Sequence, residues 1–470
     1  MTYKLRSFQE IVTESLRGGI RLGHRKQVLQ ASTGAGKTIM AVSMMQTAVT
    51  NGKKVLFIAH RKEIINQTSS KLDAFGIDHG VIMAGHIRYK PRNPVQVASI
   101  QTLSRRVKPD ADLIFIDECH LSCSKSFTDL ISAYPAAIIV GMTATPCRLD
   151  GKGLGIIYTN MVKAVSMRDL IDQGHLVKYR VFAPFVPDLI DVKTVAGDYD
   201  QGATADLMDK TSITGDIVKH WLKHAAGRKT IVFAASVKHS EHIRDAFLAT
   251  GVSAKHLDAK TNSNLRAKIL AEWEAGKFDV LCNMGLFIEG LDVPAVSCCI
   301  LARPTQSLTI YLQAVGRAMR TSPGKNDCII LDHAGLTYSH GLIDEDREWT
   351  LDGKKTNKKK DAMEKLPSVT ICESCFSAFS RTKNPSTCPE CGHGLPVKAV
   401  ASVSADGELV ELTQNHLYQL KMARKTELKQ ARTRDDLINL GRSRGYKQPA
   451  MWADHMITGR EEWRRKNVNN

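Results

Sequence analysis

The sequence predicts an α/β fold of two tandem doubly wound parallel sheets, followed by a small cysteine module and a basic helical tail. Short apolar runs alternate with helix-length segments twice, first between residues 27 and 144 and again between residues 229 and 333. Near-continuous apolar runs separated by helices are typical of parallel sheets that are covered on both faces. After residue 350 the composition changes to a lysine-rich run and then to a cluster of cysteines, which indicates a separate C-terminal region.

Each repeat of this pattern contains five candidate strands. Those of the first half are QVLQA, VLFIAH, VQVASI, LIFIDE and AIIVGMTA. Those of the second half are TIVFAAS, SAKHLDA, VLCNM, SCCILA and CIILDH. The runs and the changes in composition predict a first domain at 1–175, a linker with little core of its own at 176–215, a second domain at 216–350, a basic linker at 351–366, a cysteine module at 367–397 and a basic tail at 398–470.

Composition restricts the class of protein. A chain of 470 residues exceeds what one hydrophobic core usually serves, so two or three domains are expected. Lys and Arg number 65 against 48 Asp and Glu, which favours a polyanionic partner, although a generically basic protein has the same balance. The start of the chain is polar and no apolar run reaches ~20 residues, so we expect no membrane contact. Seven of the eleven cysteines are scattered, which suits reduced thiols in a cytoplasm, either bacterial or that of a phage host.

The segment ASTGAGKT, residues 31–38, predicts a phosphate-binding loop. It follows an apolar run and precedes a helix-like stretch, which is the strand–loop–helix context that such a loop requires. Glycines let the backbone N–H groups face the phosphates, a lysine reaches the β and γ phosphates, and a Thr hydroxyl ligates Mg²⁺. The residues assigned to this cradle are Ser32, Thr33, Gly34, Ala35, Gly36, Lys37 and Thr38. The alternative is a plain turn, which the terminal Lys-Thr pair argues against.

The segment LIFIDECH, residues 113–120, is predicted to complete a site that hydrolyses a nucleoside triphosphate. It is an apolar strand that ends in two carboxylates. Asp117 is expected to hold Mg²⁺ together with Thr38, and Glu118 to act as general base toward the attacking water.

The ordered set of short motifs between residues 5 and 335 resembles the superfamily 2 helicases and translocases. The segments that carry the resemblance are Leu5–Gln9, AHRKEIINQ, SIQTL, GMTATP, IVFAAS, IEGLDVP and QAVGRAMR. The resemblance implies two RecA-like domains that close on ATP. It also implies roles for residues outside the phosphate loop: adenine recognition by Arg6 and Gln9, nucleotide contacts by His120, Gly290, Asp292 and Gln313, nucleic-acid contacts by His60, Arg61, Gln101 and Thr102, and coupling by Thr143 and Thr145.

Two arginines near the end of the second domain are predicted to complete the site. In the resemblance, Arg317 and Arg320 reach across to the triphosphate when the domains close, so that hydrolysis depends on domain geometry. Taken alone, two arginines at helical spacing are more often a solvated basic face. Their place beside Gln313 and Gly316 favours the catalytic role.

The resemblance implies an ATP-dependent DNA helicase or translocase that remodels branched or forked DNA in repair, recombination or replication. A helicase core followed by a four-cysteine module is most similar to the RadD-type repair helicases and their phage relatives. Two alternatives stay open: an ATP-switched binding or annealing protein with little unwinding, and an RNA helicase.

The C-terminal region contains a second constellation. Cys372 and Cys375 form one CxxC pair, and Cys388 and Cys391 form another, a spacing that predicts a structural Zn²⁺ site. Four free surface thiols are the alternative. The basic stretch 421–447, with Tyr446, Trp452 and Trp463 in or beyond it, suits either a nucleic-acid surface or a helix packed on the second domain. This region is also the expected docking site for a single-strand-binding or repair protein.

Overall fold

A computed structural model confirms the predicted fold class, since two mainly parallel sheets lie in tandem along the chain. It describes residues 4–147, 153–183, 194–195, 198–209, 211–286, 293–352, 369–372, 374–380, 387–393 and, near the C terminus, 431, 433–443, 450, 453–454 and 457.

The first lobe is built on a seven-stranded sheet in which all neighbouring strands are parallel. Its strands are β1 (Lys26–Gln30), β2 (Val55–Ala59), β3 (Gly80–Ile82), β4 (Val95–Ser99), β5 (Leu113–Asp117), β6 (Ile138–Thr143) and β7 (Asn160–Lys163). Their order across the sheet is β3-β4-β2-β5-β6-β1-β7. Because β5, β6 and β1 are neighbours, the segments that follow their carboxyl ends meet at one edge of the sheet. This edge carries the phosphate loop, the paired carboxylates and Thr143.

Helices cover both faces of this sheet. They are α1 (Ser7–Arg21), α2 (Lys37–Thr50), α3 (Lys62–Ala74), α4 (Ile100–Leu103), α5 (Lys125–Ser132) and α6 (Met167–Asp172). Alternate residues of β5 enter opposite cores: Leu113 and Phe115 pack in one, and Ile114 and Ile116 in the other. Burial on both faces explains why the strand reads as a continuous apolar run rather than as an alternating one.

The second lobe is built on an eight-stranded sheet. Its strands are β8 (Lys178–Phe182), β11 (Thr230–Ala234), β12 (Ala254–Leu257), β13 (Val280–Asn283), β14 (Cys298–Ala302), β15 (Asp327–Asp332), β16 (Val369–Ile371) and β17 (Ser377–Ser380), and a short hairpin, β9 (Thr194–Val195) and β10 (Asp198–Tyr199), lies apart from it. The order is β12-β13-β11-β14-β15-β8-β17-β16, parallel up to β8 and antiparallel beyond it.

The remaining helices belong to the second half of the chain. They are α7 (Gln201–Met208), α8 (Thr211–His224), α9 (Val237–Ala249), α10 (Ser263–Glu274), α11 (Leu308–Ala318), α12 (Leu336–His340) and, in the tail, α13 (Arg434–Ser443). In the described part of the chain, no helix is both long and apolar enough to cross a bilayer. Near α13, an ion pair joins Arg434 to Asp454, and Leu437 is buried. The tail aromatics Tyr446, Trp452 and Trp463 lie outside the described residues.

All ten predicted strands are present among the described residues, and seven further strands were not predicted: β3, β7, β8, the β9–β10 hairpin and the β16–β17 hairpin. β3 has only three residues, and β7 is an edge strand that is half-buried or exposed. The clearest difference concerns β8, because it lies in the interval 176–215 that was predicted to be a linker with little core. Its residues Val181 and Phe182 are buried, and it pairs with β15. The strand begins with the polar residues KYR, so it lacks the continuous apolar run by which the other strands were recognised.

The first cysteine pair of the predicted module at 367–397 lies on a hairpin that joins the second sheet. The hairpin formed by β16 and β17 extends the second sheet, because β17 pairs with β8. β8 would otherwise present an unpaired row of N–H and C=O groups at the edge of the sheet. The hairpin therefore belongs to the second lobe as well as carrying Cys372 and Cys375 at its turn.

Buried histidines in the second lobe predict a loss of stability at mildly acidic pH. His333 is fully buried, and neither ring nitrogen has a hydrogen-bond partner among the described residues. Burial lowers the pKa of His333 to about 3 and that of His239 to about 4. The unfolded chain, with histidine pKa values near 6.5, therefore binds protons that the folded chain excludes. Stability is complete above pH ~6.5 and falls below it, by up to about 1.4 kcal/mol per pH unit for each histidine.

Urea unfolding followed by tryptophan fluorescence, from pH 7.5 to pH 5, measures this loss. His333→Phe keeps a ring of similar size and removes the titrating group, so its free energy of unfolding should depend less on pH than that of the wild type. Equal pH dependence in both proteins would contradict the assignment to His333.

Candidate active site

The phosphate loop joins β1 to α2, and its two glycines are required by its conformation. Gly34 and Gly36 have φ angles of 91° and 82°, which side-chain-bearing residues rarely adopt. A Cβ atom on Gly36 would lie 2.5 Å from Nε2 of Gln9, and one on Gly34 would lie 2.6 Å from Cδ2 of Leu176. Both positions therefore need glycine for backbone freedom, and a side chain at either one would also displace Gln9 or Leu176.

Residues at the start of α1 form hydrogen bonds with each other and with the backbone of this loop. The Gln9 side chain donates from Nε2 to the Ala35 carbonyl at 2.9 Å, and its Oε1 accepts from the Arg6 N–H at 3.0 Å. Within the loop, Lys37 Nζ donates to the Ala31 carbonyl at 3.1 Å. The residues predicted to read adenine thus lie directly beside the residues predicted to bind phosphate.

The two carboxylates lie at the end of β5, across β6 from the loop. Asp117 and Glu118 are 7% and 8% exposed. Glu118 has a φ of 48°, an uncommon value for a residue other than glycine, because the chain turns sharply there into a single 3₁₀ turn. Burial and the neighbouring Glu118 raise the pKa of Asp117 to about 7, while Lys37 opposes that shift. Two buried carboxylates provide oxygen donors of the kind that Mg²⁺ prefers, and a cation bound there would favour the ionised form of Asp117.

Glu118 is held by side chains from both lobes. Gln313 Nε2 of α11 donates to its Oε1 at 3.0 Å, and Thr143 Oγ1 of the first lobe donates to its Oε2 at 3.3 Å. His120 Nδ1 lies 3.3 Å from the same Oε2. The carboxylate is therefore oriented from two sides, and one of these sides belongs to the second lobe.

A second contact between the lobes lies next to the first. Thr145 Oγ1 and Thr309 Oγ1 are 2.8 Å apart and buried. Thr145 is also tied to Thr143, whose hydroxyl accepts from the Thr145 N–H at 3.1 Å. Thr143 therefore contacts Glu118 on one side and the chain that reaches Thr309 on the other. The sequence predicted Thr143 and Thr145 but not Thr309, the partner of Thr145, which precedes the QAVGRAMR segment by four residues.

The backbone that carries the two predicted arginines lies against the phosphate loop. A Cβ atom on Gly316 would lie 2.7 Å from Cβ of Thr33, so the glycine allows α11 to approach the loop. Arg320 forms a backbone bridge with Leu176, the same residue that contacts Gly34. Arg317 and Arg320 are both partly buried.

Comparison with known proteins gives the family. A family model described as "Type III restriction enzyme, res subunit" matches residues 2–148, and one described as "Helicase conserved C-terminal domain" matches residues 210–322. A "51.5 kDa protein" of a Lactococcus phage (isolate 7-9) is 30% identical over 391 residues, covering 82% of each chain. The chain belongs to the superfamily 2 helicases. It is accordingly an ATP-dependent helicase or translocase, and thus an ATP hydrolase.

Two further comparisons describe the extent of the similarity. A Saccharomyces cerevisiae protein named as an ATP-dependent helicase, IRC3, is 27% identical over 72% of this chain and 52% of its own, so the helicase described here spans about half of that relative. A fragment of a type I restriction enzyme HsdR subunit from Vibrio vulnificus has a TM-score of 0.58 at 22% identity, covering 73% of this chain and 67% of that one. This second likeness concerns the fold alone.

The residues predicted to contact nucleic acid lie at the carboxyl ends of β2 and β4 of this helicase. Gln101 Nε2 donates to the His60 carbonyl at 3.0 Å, and Thr102 Oγ1 accepts from the Ala84 N–H at 3.3 Å. The structure thus brings His60, Arg61, Gln101 and Thr102 to one edge of the first lobe. Gly290 and Asp292, predicted to contact nucleotide, lie outside the described residues.

The two CxxC turns have the same backbone geometry. The N–H groups of Phe376 and Gly392 each donate to the carbonyl of the first cysteine of their pair, at 2.9 Å in both turns. Phe376 and Gly392 also share a left-handed conformation, with φ angles of 61° and 73°. The four predicted sulfur ligands, of Cys372, Cys375, Cys388 and Cys391, lie within 4.8 Å of one another. A cluster of four thiols at this separation fits a tetrahedral Zn²⁺ ion.

Proposed function

We propose that this helicase is a DNA-stimulated translocase that uses ATP hydrolysis to remodel forked or branched DNA in repair, recombination or replication. The observation that carries the proposal is the hydrogen bond from Gln313 of the second lobe to Glu118 of the first. A general base that is oriented by the opposite lobe works only when the lobes are closed. Hydrolysis and relative movement of the lobes are then coupled, which is what a motor requires.

The proposed chemistry assigns one task to each residue of the site. Loop N–H groups and Lys37 bind the phosphates, and Lys37 exchanges the Ala31 carbonyl for a phosphate oxygen when nucleotide enters. Thr38 and Asp117 would hold Mg²⁺, which neutralises charge on the phosphates. Glu118 accepts a proton from water, whose oxygen forms a bond to the γ-phosphorus while the bond to ADP breaks. Arg317 and Arg320 stabilise the charge that develops in that step.

A basic and partly apolar surface near the predicted nucleic-acid residues supports a polynucleotide partner. After α4 the chain exposes Arg105, Arg106, Val107 and Lys108 in succession. The Arg106 guanidinium lies 5.5 Å from the centre of the Tyr89 ring, which is 56% exposed. Exposed cations beside an exposed aromatic ring suit contacts with phosphates and stacking with a base.

The name of one relative favours DNA over RNA as the substrate. A Sulfurisphaera tokodaii protein named "DNA 3'-5' translocase XPB2" is 22% identical over 64% of this chain and 76% of its own. ATP turnover measured with single-stranded, duplex and forked DNA, and with RNA of matched sequence, tests the choice. Stimulation by forked DNA above the other polymers, with displacement of a bound strand, is the expected result. Hydrolysis without displacement would instead favour an ATP-switched binding protein, and stimulation by RNA alone would favour an RNA helicase.

We also propose that the four cysteines hold one structural Zn²⁺ ion and that the region around it contributes to DNA affinity. Cys388→Ser/Cys391→Ser is expected to lose the metal and the local fold, because metal binding supplies the folding free energy of such a site. The two lobes have their own cores, so ATP binding should persist while DNA affinity weakens, most at low salt.

Elemental analysis, together with DNA binding measured between about 50 and 200 mM salt, tests these effects. Cys298→Ser is a matched control, since it removes a thiol that is buried in β14 and far along the chain from the cluster. Metal-replete wild-type protein without zinc would contradict the first part of the proposal. Unchanged DNA affinity in the zinc-free variant would contradict the second.

A further inference from the structure

We propose that Lys325 is a positioning residue for ATP hydrolysis, which acts by fixing the main chain at Arg320. The inference rests on the proposed role of Arg320 at the triphosphate and extends it to a residue outside the helicase motifs. Lys325 lies in the turn between α11 and β15.

The Lys325 ammonium group joins two separate segments of the second lobe. On one side, Nζ donates to the carbonyls of Ala318 and Arg320, at 2.7 Å in each case. On the other side, it donates to the carbonyls of Pro294, at 3.0 Å, and of Val296. An ammonium has three N–H donors, so these four acceptors share them. Its position is therefore fixed from two directions at once.

A charged donor suits this place for physical reasons. Ala318 is the last residue of α11, and the end of a helix carries unsatisfied carbonyls and partial negative charge. Burial lowers the pKa of Lys325 to about 8, so the side chain is still mostly protonated at neutral pH. An apolar side chain of similar length would leave four carbonyls without this donor, and the two segments that carry them would no longer be joined through it.

The two segments that Lys325 joins are both predicted to approach nucleotide. Arg320 is bridged to Leu176, which contacts Gly34 of the phosphate loop. Pro294 follows the predicted nucleotide contact Asp292 by two positions in the sequence. The ammonium thus holds the arginine turn in a defined position relative to Pro294 and Val296, which follow the segment predicted to contact nucleotide. A shift of about 1 Å in such a group is enough to cost on the order of 10²-fold in rate.

Lys325→Met in the full chain is expected to lower the turnover number for ATP about tenfold or more, with a change of less than about threefold in the dissociation constant of a fluorescent ATP analogue. Lys325→Arg keeps a cationic donor and should recover most of the turnover. Lys229→Met is the matched control: Lys229 is another second-lobe lysine that donates to a backbone carbonyl, that of Glu274 at 2.9 Å, and it lies outside the site. It should leave turnover unchanged even if both variants lower the melting temperature.

A double-mutant cycle with Arg320→Ala distinguishes positioning from a merely structural role. If Lys325 acts through Arg320, adding Lys325→Met to Arg320→Ala should reduce turnover by less than about twofold further. Multiplicative losses in the double variant would overturn the inference, as would full turnover in Lys325→Met alone. Full turnover in Arg320→Ala would overturn the proposed role of Arg320 itself, and the inference with it, so the two failures are distinguishable.

Discussion

Replacement of Glu118 by glutamine is expected to reduce ATP turnover by about 10²-fold or more while leaving the fold and nucleic-acid binding largely intact. Glutamine has the shape of glutamate and keeps an oxygen that can accept from Gln313 or Thr143, the partners seen in the structure. It tolerates the left-handed backbone at this position no worse than glutamate does. The variant therefore loses the capacity to accept a proton, and little else.

Steady-state ATP hydrolysis, circular dichroism and DNA binding should be measured on the same preparation. Glu274→Gln is the matched control, because Glu274 is an exposed glutamate at the end of α10 and lies outside the site. Lys37→Ala should give a similar loss of turnover through loss of a phosphate contact. If Glu118→Gln kept more than about a tenth of wild-type turnover, Glu118 could not be the general base.

The central strands of both sheets could be predicted from their own residues. The buried central strands, such as β5 and β14, are apolar throughout because both of their faces are covered, so each could be read from its own residues. Edge strands lack this constraint. β7 is half-buried or exposed, and β8 begins with KYR, so neither produced a recognisable run.

The same distinction holds for the site. The phosphate loop and the two CxxC pairs are short motifs whose chemistry fixes their spacing, and the structure brings the members of each together. Contacts between the lobes depend on how two distant segments pack. The hydrogen bond between Thr145 and Thr309 joins residues that are 164 positions apart. No local sequence pattern around either residue predicts this contact. Lys325 was missed for the same reason, because a lysine in a polar turn is most often a solvated surface residue.

Replacement of Arg320 by alanine is expected to lower turnover by roughly 10³-fold, with a much smaller loss of nucleotide affinity, because an arginine supplied on closure acts mainly on the transition state. Arg320→Lys should fail as well, since the planar fork that matches phosphate oxygens is lost although the charge remains. Arg317→Ala, near the end of α11, should show the same separation of turnover from affinity. Arg244→Ala is the control, as Arg244 lies on α9 and pairs with Asp245.

Single-turnover hydrolysis of bound ATP, measured beside the dissociation constant of a fluorescent ATP analogue, separates the two effects of Arg320. The contacts of Gly316 with Thr33 and of Leu176 with Gly34 hold the arginine turn against the phosphate loop when the lobes meet. A contact that forms on closure should therefore contribute to the rate of the chemical step rather than to initial binding. If affinity fell sharply while the turnover of bound ATP stayed unchanged, Arg320 would be a ground-state ligand, and hydrolysis would not depend on closure of the lobes through this residue.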